Sequence, residues 1–244
     1  MKLSFKDKAE FVLKSLFLQG SWSFRHLQGL GFFYSISGWL ERNVEDDTRS
    51  ALRRHLGFFN THPFMAPYLI GVVARLEKEG DPLGSISAKD ILMSPLAALG
   101  DSLFWGSLRP MFIIIGLGIS LHTPWLGIVY ILVSFNIFNL WTRWTLLGKG
   151  FDNARNPLDF ISDRNFRGTV QGAQLIIIPA LGFLLGLAAF RFAFPAFSFI
   201  IFGLSLLLFS RGWGTFRTFS VVFVVVLILV WMGFGLELTW LPWK

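Results

Sequence analysis

Asp101 and Arg109 carry formal charge inside LMSPLAALGDSLFWGSLRP, the otherwise apolar run from Leu92 to Pro110. An ionised group at membrane depth costs at least about 2.5 kcal/mol, so such residues usually face a partner, water or a substrate path. In a helix the two lie on nearly one face but about 12 Å apart along the axis. They cannot pair with each other, so each needs a partner on this chain or a second one, or a solvated cavity. The same stretch offers the hydroxyl of Ser102 and the indole N–H of Trp105. A second polar group, Asn60-Thr61-His62, stands just before Pro63. Proline biases His62 away from helical backbone, so these residues sit at a helix break, suited to capping, subunit contact or ligand binding.

The elements that must carry these groups are apolar. Of 244 residues, 53% are hydrophobic and 17% aromatic, with 28 Phe and 10 Trp, and the mean hydropathy is +0.57. That is the composition of a membrane protein. Without cysteine there is no disulfide, thiolate metal site or cysteine nucleophile. The net charge of +7 is read as basic cytoplasmic loops facing anionic lipid; no module for nucleic acid accompanies it. His62 and His122 have no second histidine or carboxylate at ligand spacing, so no metal site is expected, and no nucleotide loop or serine-hydrolase elbow indicates a cofactor or hydrolytic chemistry. Lys2, Lys6, Lys8 and Lys14 interrupt the first twenty residues, so no cleavable signal is expected.

Phe5, Ala9, Val12, Leu13, Leu16 and Phe17 form the stripe of an amphipathic helix, facing either a membrane surface or a protein neighbour. Leu52, Leu56 and Phe59 give a short stripe ending at Asn60 to Pro63. Leu69, Val72, Val73 and Leu76 predict another helix, with Arg75 and Glu79 placed for an i,i+4 pair and Gly80 and Pro82 stopping it. Ser87 to Asp90 reads as a capping box that starts the helix leading into Leu92 to Pro110. Residues 1–90 thus read as a helical, membrane-proximal domain holding most of the charge, and residues 91–244 as the membrane domain. Between Arg109 and Arg143 lies an uncharged run too long for one crossing. Two crossings fit, the first beginning near Pro95 and the second after a turn at His122-Thr123-Pro124; a re-entrant hairpin is the alternative. Uncharged runs 168–190, 192–210 and 218–236 each suit one more span. The fold class is therefore all-α, a polytopic helical membrane protein with about five membrane-inserted segments. Arg143 to Arg167 carries five basic residues, which by the positive-inside bias puts the N-terminus in the cytoplasm and the C-terminus outside.

LQGSWSFRHLQGLGFFYSI, RRHLGFFNTHPFMAPYLIGVVARLEKE and ILMSPLAALGDSLFWGSLRP, with the stretch from Asn136 to Gly150, together resemble the IID subunit of the mannose-family sugar phosphotransferase system (PTS). The likeness covers roughly residues 10–150 in motif and the C-terminal spans in hydropathy. It implies a non-catalytic subunit in the bacterial inner membrane. Such a subunit joins a IIC subunit, as a trimer of heterodimers, to admit a hexose that a IIB phosphocarrier phosphorylates; the phosphohistidines lie on partner subunits. Within that resemblance Asp101 is a candidate to accept sugar hydroxyls, Trp105 to stack on a sugar face, and Ser102, Arg109, Asn60 and His62 to line or gate the path. The competing role for each is structural: capping, helix contact or subunit pairing. The chain departs from the family at Ser94 and Ala98, where glycines are usual, and the connection from Glu79 to Ile91 is shorter. These departures motivate the alternative, a membrane interaction or regulatory protein that keeps the fold without transporting. A transporter active alone is a third reading.

Overall fold

Helix starts in the chain follow local capping chemistry. In the computed structural model, which describes residues 2–44, 47–162 and scattered positions from 164 to 207, helix α1 (Phe5–Ser15) begins where the Ser4 side chain accepts the Asp7 N–H at 3.1 Å. Helix α2 (Gly29–Asn43) follows a short loop. Helix α3 (Thr48–Arg54) is capped by Asp47, which accepts from Ser50 N–H at 3.3 Å. Helix α4 (Ala66–Lys78) carries Pro67 in its first turn, where a missing N–H costs nothing. Among the described residues there are helices and connections but no named strand, in keeping with an all-α chain; Leu27 makes isolated bridges to Ser23 and Phe59.

The end of α4 and the start of helix α5 (Pro82–Gly100) form one joint. Gly80 takes φ +74°, and Asp81 N–H reaches back to Leu76 C=O while Gly80 N–H reaches Glu77 C=O. These are the paired bonds of a Schellman stop. Asp81 then caps α5 by accepting Gly84 N–H at 2.8 Å, with Pro82 in the first helical turn. The capping box expected at Ser87 is therefore not used: Ser87 lies inside a helix already begun. Pro95, near which the first crossing is expected to begin, sits within α5. The expected Arg75–Glu79 pair is present at 2.5 Å. The break before Pro63 comes earlier than the stripe through Leu56 and Phe59 implied, because α3 stops at Arg54.

After α5 the chain continues through a π-helical segment, Asp101–Leu108, into helix α6 (Arg109–Ser120). The run from Pro82 to Ser120 is 39 residues of helix, and helix α7 (Pro124–Asp152) supplies 29 more. Both are long and apolar enough to cross a membrane, and α7 is 6% buried over its most apolar window. The turn between them falls at the expected His122-Thr123-Pro124. The spans expected at 168–190, 192–210 and 218–236 lie outside the described residues, apart from isolated positions.

The described residues fall into two units. One comprises residues 1–106 and 133–170. Its core is built from Phe11, Phe32, Ile36, Phe59, Tyr68 and Phe151, with Phe32 stacked on Phe59 at 4.2 Å. Helix α4 runs through the middle, buried on nearly every side. It meets α7 backbone to backbone: a Cβ on Gly150 would lie 2.0 Å from Tyr68 C=O, and one on Gly71 2.3 Å from Leu147 C=O. Only glycine permits that approach. Gly150→Ala is expected to lower stability by about 1–3 kcal/mol through overpacking. A drop in the thermal midpoint of the detergent-solubilised protein checks this, and an unchanged midpoint would contradict the crossing. The other unit comprises residues 107–132 and 171–244; among its described residues Ile114, Ile177 and Leu184 form a small apolar core.

Candidate functional site

The polar segment before Pro63 is held open by hydrogen bonds to its backbone and to the Thr61 hydroxyl. Gln28 brackets Thr61: its amide N–H donates to Thr61 C=O at 2.9 Å and its oxygen accepts Thr61 N–H at 3.1 Å. The Thr61 hydroxyl donates to Met93 C=O on α5 at 2.9 Å, and Asn60 N–H points at Met93 Sδ, 3.4 Å away. The segment is thereby fastened to α5, and His62 is carried onto the π-helical turn.

His62 is 2% exposed. Its ring stacks on Phe104 at 5.0 Å and lies 5.3 Å from Trp105 and 5.2 Å from Phe64. The seat exists because Gly100 has no side chain; a Cβ there would lie 2.3 Å from His62 Cβ and Cγ. Burial, and then the charge of Arg143, pull the His62 pKa down to about 4. The ring is neutral at pH 7. Nδ1 accepts Phe64 N–H at 3.2 Å, which leaves the proton on Nε2. That Nε2–H is buried with no hydrogen-bond acceptor among the described residues.

Arg143 was not singled out by sequence reasoning, although a charge within the apolar run of α7 was a visible signal. It is buried, donating from Nε to Asn139 at 2.9 Å and from Nη1 to the carbonyl and hydroxyl of Ser15 at 2.9 Å each. Its guanidinium lies 5.2 Å over Phe64. Also missed was a buried ionic group joining α3, α4 and α5. Glu77 accepts from Arg54 at 2.9 Å, from His55 Nε2 at 2.9 Å and from the Ser85 hydroxyl. Burial raises the Glu77 pKa, but the hydrogen bonds from His55 and Ser85 and the positive charges outweigh it, so the carboxyl stays below its usual range. Burial likewise holds His55 below the ordinary histidine value.

Of the sequence candidates, the structure brings His62 and Trp105 into one aromatic cluster and places Asn60 beside it. Asp101 and Ser102 open the π-helical segment. Asp101 is exposed, and no hydrogen bond or ion pair links its carboxylate to a side chain among the described residues. Arg109 begins α6 in the other unit. π-Helical turns are rare and concentrate at functional sites.

A family model described as "PTS system mannose/fructose/sorbose family IID component" matches residues 2–188. The mannose-specific EIID component of Escherichia coli K12 is 33% identical over 193 residues, covering 74% of this chain and 67% of that protein. The sorbose-specific EIID component of Lacticaseibacillus casei is 33% identical over 182 residues, covering 71% and 64%. The chain spans about two thirds of the length of these curated relatives. Among solved structures, one described only as a membrane protein aligns with TM-score 0.65 and 34% identity over 75% of this chain and 71% of its own. A chain from the cryoEM structure of the mannose transporter ManYZ with microcin E492 aligns with TM-score 0.57 and 25% identity over 95% and 98%. With its apolar helices and a family match over most of its length, the chain belongs to the mannose/fructose/sorbose-family IID components of the sugar phosphotransferase system.

Proposed function

We propose that the chain pairs with a IIC subunit in the bacterial inner membrane, with its N-terminus cytoplasmic, its C-terminus outside and a trimer of such pairs as the working unit. Together they pass a hexose inward for phosphorylation by a IIB phosphocarrier. The observation that carries this reading is the family match over residues 2–188. Similarity to a chain of a ManYZ complex supports a IIC-type partner. Adding phosphate to the sugar traps it, because the charge makes return across hydrocarbon very unfavourable. The chain itself supplies no phosphohistidine; its role is to shape the path.

Within that role, the π-helical turn supplies the polar groups. Asp101 offers a carboxylate for hydroxyl or cationic donors, and Trp105, 40% exposed, offers an amphipathic face. Ser102 and Asn60 add polar groups, His62 backs the Trp105 ring from its buried seat, and Arg109 serves an interface or the path. The experiment is uptake. In cells holding the matching IIC and IIB, deletion of this chain is expected to abolish hexose uptake and phosphorylation; intact uptake would overturn the reading. Copurification with IIC but no sugar binding or uptake would transfer it to the non-transporting alternative. Asp101→Asn and Arg109→Gln then separate roles. Loss of assembly marks subunit pairing, and loss of uptake in an intact complex marks the path.

A further inference from the structure

Helix α1 has two apolar faces; among the described residues one is buried and the other is largely exposed. Phe11, Val12 and Ser15 are buried against the rest of the unit. Phe5, Leu13, Leu16 and Phe17 point outward, 77%, 60%, 44% and 63% exposed. The loop after α1 adds Trp22 and Phe24, 55% and 95% exposed. Large apolar side chains grouped this way mark an interaction surface.

Charge on α1 is sorted to match. Both acids of the helix are engaged inward: Glu10 by Lys14 at 2.7 Å and Arg42 at 2.5 Å, and Asp7 by Arg42 at 3.5 Å. Lys2, Lys6 and Arg25 are exposed and have no acidic partner among the described residues. The outward surface is therefore apolar and cationic together, which is the composition that seats a helix among anionic headgroups. A protein partner with an apolar surface would need no such surplus of cations.

The patch also has a defined neighbour. Phe5 lies against Trp144 of α7 at 5.1 Å, and Lys8 stands 4.8 Å over the same indole. One turn along α7, Trp141 is 61% exposed, and Ile137 and Leu140 follow at 62% and 44%. The apolar face of α1 is thus continuous with the exposed flank of a helix fit to cross the membrane. Trp at the rim of a span and a cationic amphipathic helix beside it describe a membrane–water boundary.

We propose that α1 and the loop carrying Trp22 and Phe24 form an interfacial anchor. It seats its outward face in the headgroup region of anionic lipid at the end of α7 that contains Trp144. The occupant is the bilayer surface.

The absence of cysteine from the sequence makes the test direct. Single cysteines are placed at Leu13, Phe17 and Phe24, and at Lys78 as a solvent control, in the full chain. Each is labelled with bimane and reconstituted in vesicles containing phosphatidylglycerol and a lipid nitroxide at shallow depth. Bimane at positions 13, 17 and 24 is expected to be quenched at least twofold more than at position 78. Lys2→Gln with Lys6→Gln and Arg25→Gln is expected to reduce that quenching, and neutral vesicles to reduce it further. Equal quenching at all four positions, or full reaction of positions 13, 17 and 24 with a membrane-impermeant maleimide in the reconstituted chain, would overturn the anchor. Protection from the maleimide only when a IIC subunit is added would overturn it too, in favour of a protein contact. None of these readouts depends on sugar transport.

Discussion

Glu77→Ala is expected to destabilise the unit formed by residues 1–106 and 133–170 by about 3–5 kcal/mol, the usual cost of removing one member of a buried ionic group. The Glu77 side chain is 2% exposed, and Arg54 and His55 that it holds are 17% and 0% exposed. Truncation leaves a guanidinium, an imidazole N–H and the Ser85 hydroxyl facing a void. Glu77→Gln keeps the shape and separates charge from volume: it is expected to recover part of the loss while leaving Arg54 with only the more distant, exposed carboxylate of Asp47 at 3.7 Å. Thermal or denaturant unfolding in detergent checks both. Equal stability of Glu77→Ala and the parent would show that the group is solvated and that its geometry carries no weight. The sign of the pH dependence follows from the lowered carboxyl. Its contribution is complete above the ordinary carboxylate pKa and is lost as pH falls through the lowered value.

The second large effect is acid sensitivity through His62. A histidine whose folded pKa is about 4 against 6.5 ordinarily favours the unfolded chain once protons become available. Stability is therefore complete above pH 6.5 and falls between there and about pH 4, by on the order of 3 kcal/mol in total. His62→Phe keeps the stacking on Phe104 and removes the titration. It is expected to flatten this part of the profile, at a cost near neutrality of about 1 kcal/mol because Phe64 N–H loses its acceptor. His55 titrates in the same direction, so the difference between parent and variant, rather than either curve alone, isolates His62. Identical slopes from pH 6.5 to 4 would refute the assignment.

What was legible in the sequence were features set by composition or by neighbours in the chain. Apolar content announced a helical membrane protein. Proline after His62, the i,i+4 pair of Arg75 and Glu79, and the turn at His122 to Pro124 each depend on residues close in sequence. The start of α5 shows where local reading goes astray. Ser87 and Asp90 have capping-box spacing, but Asp81 before Pro82 is an equally local signal, and the Gly80 stop commits the chain to it first. The stripe Phe5, Ala9, Val12, Leu13, Leu16 and Phe17 is split by tertiary packing: Val12 is buried, together with Phe11 from outside the stripe, while Phe5, Leu13, Leu16 and Phe17 stay exposed. One part of the stripe thus meets a protein neighbour, as one of its two readings required, and the exposed remainder is the part assigned above to the membrane surface.

The candidate site was legible as residue types and not as an arrangement. Asp101, Ser102 and Trp105 stand together because they share one turn, so their grouping could be read from the chain. His62 joins Trp105 only because Gln28 and Met93 hold the intervening segment on α5, contacts that bridge 33 and 32 residues. No periodicity encodes such a contact. The π-helical register of Asp101–Leu108 also left no mark in hydropathy. Arg143 was visible as a charge in an apolar run, but its partners at Ser15 are 128 residues away.

The placement of α4 has a consequence for the order in which the protein is made. Its residues from Ala66 to Ala74 are all buried, and part of what covers them arrives late: Leu147, Gly150 and Phe151 on α7, then Pro157, which accepts the Tyr68 hydroxyl at 2.9 Å, and Phe160, which stacks on its ring at 4.5 Å. At about 5–20 residues per second, translation from the end of α4 to Phe160 takes roughly 4–16 seconds. During that interval the most deeply buried helix of the unit waits with its C-terminal neighbours unmade. A nascent chain stalled before Gly150 would present that surface to chaperones and proteases, whereas one stalled after Phe160 would already have closed it.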